Sequence, residues 1–107
     1  MIKGQAMPQK DFTLWIEGGR ILTFRDIASG RIAAFAVILV MDIRGRDVCV
    51  ARYDSAHGTP HRDTEGMKKG LLEKVWFFGS SKEEVFDYAI RDFQANAQAY
   101  LRQFLAN

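Results

Sequence analysis

The sequence predicts an α+β fold, an antiparallel β-sheet of about five strands with one long C-terminal amphipathic helix packed on one face. Three observations predict it. First, residues 12–16, 21–25 and 31–42 are rich in β-branched, aromatic and other apolar residues and are separated by glycine-bearing turns, the punctuation of strands and hairpins. Second, Ser80 with Glu83, or Ser81 with Glu84, has capping-box spacing, in which a hydroxyl and a carboxylate each satisfy an unpaired helix-end amide. Third, Phe86, Ile90, Phe93, Ala97, Tyr100, Leu101 and Phe104 recur at intervals of mostly three and four, one apolar stripe along a helix over residues 81–105.

The elements follow in order. Residues 1–10 contain Gly4, Pro8 and two methionines without periodicity and read as a loose end. Glu17-Gly18-Gly19-Arg20 joins two short strands as a hairpin, and Ser29-Gly30 marks the next turn. Residues 31–42 are an almost unbroken apolar run, as in a central strand buried on both faces. After the turn Ile43-Arg44-Gly45-Arg46, alternation puts Val48, Val50, Arg52 and Asp54 on one face and Cys49, Ala51 and Tyr53 on the other. Residues 55–70 hold three glycines, a proline and both histidines without apolar periodicity, a polar insertion of a length that is usually functional or disordered. Leu71-Leu72 and residues 75–78 return to the core, the latter as a last strand, and Trp15, Trp76, Phe77 and Phe78 are expected inside. One helix covers only one face of such a sheet. The second cover must come from the N-terminal segments, a second copy or a different protein.

At 107 residues the chain fits one domain, residues 1–107, and its 48% hydrophobic and 26% charged composition is that of a globular protein. The longest apolar run, residues 32–41, has ten residues, about half of what a spanning helix needs. No signal-like segment opens the chain, so a cytoplasmic location without a membrane partner is expected. The single cysteine, Cys49, forms no internal disulfide and reads as a small buried hydrophobe. Net charge is +2, with seven basic and five acidic residues between Arg44 and Lys74 and the reverse tendency beyond. An anionic partner would meet the middle of the chain, although a solvated mixed-charge surface is the plainer reading.

The densest group of reactive side chains is Arg52-Tyr53-Asp54-Ser55-Ala56-His57-Gly58-Thr59-Pro60-His61-Arg62-Asp63. His57 and His61 are acid–base candidates near neutral pH, Arg52 and Arg62 can hold a phosphate, and Tyr53 can donate a proton or stack on a base. One base, one acid and one cation suffice for metal-free RNA cleavage, in which a deprotonated 2′-oxygen attacks the adjacent phosphate. The structural alternative is that the histidines brace a turn and Asp54 caps it. Two His and two Asp within ten residues also raise a divalent metal, but Gly58 and Pro60 oppose the helix that would put both imidazoles on one face. No metal and no cofactor is expected.

This same segment resembles the TumE-like family of small toxins, which are encoded beside a DNA-binding antitoxin. In that family a strand ending in Arg-Tyr-Asp leads through a glycine-containing loop to His-Arg, then to an aromatic strand and a C-terminal helix. The order matches here over residues 46–104, and Arg52, Tyr53, Asp54, His61 and Arg62 are the positions that fit. The departures are His57-Gly58-Thr59-Pro60 where a Gly-Lys-Gly-Asp-like loop is expected, and Asp63 where a second histidine often stands. The resemblance implies an RNA-directed toxin held inactive by a cognate antitoxin protein.

The expectation is therefore a metal-independent ribonuclease or translation inhibitor. His57, His61, Tyr53 and Asp54 would be catalytic, Arg52, Arg62, Lys68 and Lys69 would bind RNA, and the protein would be a homodimer. The alternative is a non-enzymatic partner-binding or homodimeric structural protein. An enzyme should gather both histidines and both arginines around one open cleft, whereas a brace should turn them into the structure.

Overall fold

The computed structural model describes residues 9–56 and 58–107, with side chains from residue 11 onward. Six strands precede one helix: β1 (Gln9–Ile16), β2 (Gly19–Ala28), β3 (Arg31–Ile43), β4 (Arg46–Asp54), β5 (His61–Gly66), β6 (Gly70–Trp76) and α1 (Lys82–Ala106). The sheet is an antiparallel meander in chain order. Ser29-Gly30 and Arg44-Gly45 each place two successive residues at positive φ, the primed turn whose twist matches that of the flanking strands.

The sixth strand lies where a polar insertion was expected. β5 pairs Asp54 with His61 and Arg52 with Asp63, then turns into β6. Its sequence, His-Arg-Asp-Thr-Glu-Gly, has no apolar residue, so no hydrophobic alternation betrays it. Ionic and hydrogen-bonded cross-strand partners hold it instead. Gln9 and Lys10 likewise join β1 where a loose end was expected, while residues 1–8 lie outside the described residues.

β3 shows which face is covered. Phe35, Val37, Leu39 and Met41 are buried, whereas Ala34, Ala36 and Ile38 between them are only half-buried. The apolar run is thus one-sided over residues 34–38 and buried on both faces only at Leu39–Met41, where Val40 is 7% exposed. In β4 the register steps from Leu39↔Ala51 to Val40↔Cys49, a bulge that leaves Val50 unopposed. Val50 then enters the same core as Ala51 and Tyr53 and parts from Arg52 and Asp54, with which simple alternation had grouped it.

The helix forms where its cap was expected. Ser81 is the N-cap: its hydroxyl accepts from the Glu84 N–H at 3.0 Å, and its own N–H donates to Glu84 Oε1 at 2.8 Å. Val85, Phe86, Ala89, Phe93, Ala97 and Phe104 face the sheet and are buried. Phe93 packs edge-on against Tyr53 and Tyr100 at 5.2 and 5.3 Å between ring centroids, and such pairs add about 0.5–1.5 kcal/mol beyond area burial. The far end of the helix rests on the β5–β6 turn. Met67 N–H donates to Phe104 O, and Lys68 and Lys69 N–H donate to Asn107 O. A side chain at Gly66 would put its Cβ 2.9 Å from Asn107, so only glycine permits this approach.

Three of four aromatics expected inside are outside. Trp15 is 76% exposed, Phe78 77% and Trp76 39%, while Phe77 packs against the core. Trp15 sits on edge strand β1 and Trp76 on edge strand β6, where there is less sheet to cover a large ring. Among the described residues no helix is long and apolar enough to cross a membrane.

Candidate functional site

Strand alternation divides the candidate residues between the two faces of the sheet. Tyr53 and its cross-strand partner Arg62 point toward the helix; Arg52, Asp54, His61 and Asp63 point away from it.

On the helix side Asp92 is the centre. Its Oδ2 accepts from the hydroxyl of Tyr53 at 2.6 Å and from that of Tyr100, and its Oδ1 accepts from Asn96 Nδ2 at 2.7 Å. Arg62 donates to the Tyr100 hydroxyl at 3.2 Å and to Glu73 at 2.7 Å. Tyr53 is fully buried. Burial first, and the Asp92 carboxylate second, push its phenol well above the ordinary tyrosine range. Its hydroxyl, bonded to Asp92 on α1, ties the sheet to the helix.

On the open side the charges close on one another. Arg52 Nε lies 2.9 Å from Asp54 Oδ2, and Lys74 Nζ lies 2.8 Å from Asp63 Oδ1. His61 Nε2 sits between these carboxylates, 3.4 Å from Asp54 and 3.7 Å from Asp63. The ring is 3% exposed and lies under Trp76, at 4.9 Å between centroids, and its Nδ1 has no protein partner. Asp54 also accepts from the Ala56 N–H at 3.0 Å, the turn-capping role of a strand-end aspartate. The imidazole is thus enclosed by two carboxylates and an indole.

Arg52 and Arg62 therefore do not converge on one phosphate. Lys68 and Lys69 stand at the opposite end of β5 from His61, roughly 20 Å away at strand rise. His57 lies outside the described residues. Among the described residues no group of three or more His, Cys, Asp or Glu is placed to hold a metal ion. Cys49 is half-buried, and desolvation raises its thiol pKa, which leaves little nucleophilic thiolate.

Two surface depressions stand beside these residues. Phe24, Ala36, Ile38, Arg52, Asp54 and Ala56 line a shallow depression on the open face. Leu22, paired with Ile38, and Trp76, paired with His61, extend its apolar character across the sheet. A second depression lies where the loop before β5 meets the start of α1. There Glu83 already occupies the helix end, accepting from the Ile32 N–H at 2.9 Å and pairing with Arg31. The open face is the one for which the apolar run of residues 31–42 demanded a second cover.

Fold and site together define an α+β domain with a meander sheet, sealed by one helix on one face and presenting a self-paired polar and apolar surface on the other. Residues 7–107 match the family described as Domain of unknown function (DUF7718), and the chain belongs to that family. No curated protein and no solved structure matches it.

Proposed function

We propose that this chain is a non-enzymatic, cytoplasmic protein-binding domain that self-associates as a homodimer through the open face of its sheet. The observation that carries this reading is the state of that face. Leu22, Phe24, Ala34, Ala36 and Ile38 are apolar and only half-buried, while Arg20–Asp47, Arg52–Asp54 and Lys74–Asp63 are paired within the chain. Such a face has no net sign to attract a polyanion, and two copies of it meet without like-charge repulsion. Six strands at about 4.8 Å spacing and roughly 20 Å of shared length give a projection near 500 Å². Side-chain relief raises that toward the roughly 800 Å² per partner of a stable interface. His61, between two carboxylates and beneath Trp76, braces this surface.

Light scattering tests the reading: a mass near twice 12.2 kDa is expected, and a monomer at all accessible concentrations overturns it.

The RNA-acting toxin held by a cognate antitoxin is the second reading. It is favoured by the partial exposure of Arg52 and Lys74 on either side of the His61 pair, which leaves two cations beside an oriented imidazole. Under it, expression arrests growth, RNA is cut or translation stops, and His61→Ala abolishes the effect without unfolding the chain. Under the first reading the free chain neither arrests growth nor cleaves RNA.

A further inference from the structure

The end of the sheet beside the helix C-terminus carries a separate surface. Ile43, Arg44, Arg46, Val48, Met67 and Phe104 line one depression there, between the β3–β4 and β5–β6 turns. Its floor is aliphatic: Ile43 and Val48 are half-buried and Met67 is 51% exposed. Arg44, Arg46, Lys68 and Lys69 around it are all exposed.

The pattern of pairing sets these four apart. Arg20, Arg25, Arg31, Arg52, Arg62 and Lys74 of the sheet each have a carboxylate partner. Among the described residues, no ion pair involves Arg44, Arg46, Lys68 or Lys69. Two of the nearby acids are committed elsewhere. Asp42 accepts from the Gly45 N–H at 2.8 Å, and Asp47 holds Arg20 through two bonds. Arg44 also sits at φ +56°, a turn position that favours Gly, Asn or Asp, so the guanidinium is kept at this corner against the backbone preference. The turn carrying Lys68 and Lys69 is fixed to Asn107 by backbone hydrogen bonds. The backbone that carries Lys68 and Lys69 is thus fixed before any partner arrives, and Lys69 Nζ donates to Asn107 Oδ1 at 3.4 Å.

We propose that this end of the molecule docks an acidic segment of another protein, whose apolar side chain rests against Met67 and Val48 while its carboxylates meet Arg44, Arg46, Lys68 and Lys69. The aliphatic floor decides between polyanions. Single-stranded RNA gains its affinity from bases stacked on aromatic rings, and the one ring here, Phe104, is 7% exposed. An acidic peptide with a leucine or phenylalanine anchor uses both the floor and the rim. The site does not include the open face, so it stands or falls independently of dimerisation.

The test is fluorescence anisotropy on the full chain with three labelled probes: a dodecapeptide of Asp and Glu around a central Leu-Phe pair, the same peptide with Ser-Ser, and a uridine dodecamer. The first should bind, with affinity falling as salt is raised. Arg44→Asn, which suits the turn, combined with Lys68→Gln should weaken it about tenfold, since each exposed pair is worth roughly a factor of 1.5 to 5. Ser-Ser should weaken it comparably, a comparison that needs only the wild-type chain. Failure of the acidic peptide to bind, binding indifferent to the variant or to Ser-Ser, or tighter binding of the RNA overturns the proposal.

Discussion

Replacing Asp92 with alanine removes the acceptor on which the helix-side polar network converges. The hydroxyl of Tyr53, a residue with no exposed surface, loses the acceptor it has among the described residues, and Tyr100 loses its acceptor as well. Hydrogen bonds to a charged group contribute about 1.5–3 kcal/mol, and an orphaned buried donor costs about 1–3 kcal/mol. Tyr100 is half-buried and water replaces part of its loss, so the total should be about 3 kcal/mol. For a domain near this size 1 kcal/mol moves Tm by roughly 4–8 °C, so thermal unfolding followed by circular dichroism should show a drop of at least about 12 °C. Tyr53→Phe, which removes the donor and leaves no orphan on the sheet side, should cost only about 1 kcal/mol. The double variant should then fall well short of the sum, because both changes break one bond. A Tm for Asp92→Ala within about 3 °C of the wild type would refute the claim that this network fastens helix to sheet.

Two further outcomes follow from the same geometry. His61→Ala should lower stability by about 2 kcal/mol, measured by urea unfolding, because it empties a buried site beneath Trp76 and leaves Asp54 facing Asp63 without the imidazole between them; an unchanged midpoint contradicts the brace. The second concerns acid. The hydrogen bond from Arg31, with that from the Ile32 N–H, holds Glu83 at about 2, below its ordinary value of 4.5. A carboxylate with a depressed pKa in the folded state contributes stability that is complete above its unfolded value and is lost as pH falls through the folded one. The Tm gap between wild type and Glu83→Gln should therefore be constant above about pH 5 and close between pH 4.5 and 2; a gap that persists at pH 2 removes this account.

Helix α1 was legible because its signals are local. Ser81 and Glu84 are three residues apart, the apolar stripe repeats every turn, and neither depends on the rest of the chain. The first three hairpins were legible for the same reason, through Gly18, Gly30 and Gly45. β5 was not, since a strand of His61, Arg62, Asp63, Thr64, Glu65 and Gly66 is specified by partners on β4 and β6 and carries no pattern of its own. That omission propagated to the site. With His61 and Arg62 placed on a loop, nothing prevented both from being gathered around a phosphate; with them on a strand, consecutive residues face opposite sides. The bulge at Val50 had a similar effect on a smaller scale. The resemblance carried by Arg52, Tyr53, Asp54, His61 and Arg62 identified residues that hold the sheet together, and the basic turn residues Lys68 and Lys69 proved to belong to another end of the molecule.

The open face remains the centre of the account, and sedimentation velocity across a concentration series tests it most directly. Ile38, half-buried beside Arg52 on that face, is replaced by glutamate, and Leu105, 46% exposed on the helix, is replaced by glutamate as a control. Arg52 is already held by Asp54, so a carboxylate added at position 38 and buried at an interface centre costs about 2 kcal/mol or more. The wild type and Leu105→Glu should sediment as dimers, and Ile38→Glu as a monomer with an unshifted thermal transition when each is measured at monomer concentrations. A wild type that stays monomeric throughout, or an Ile38→Glu variant that dimerises as tightly as the wild type, would contradict the account.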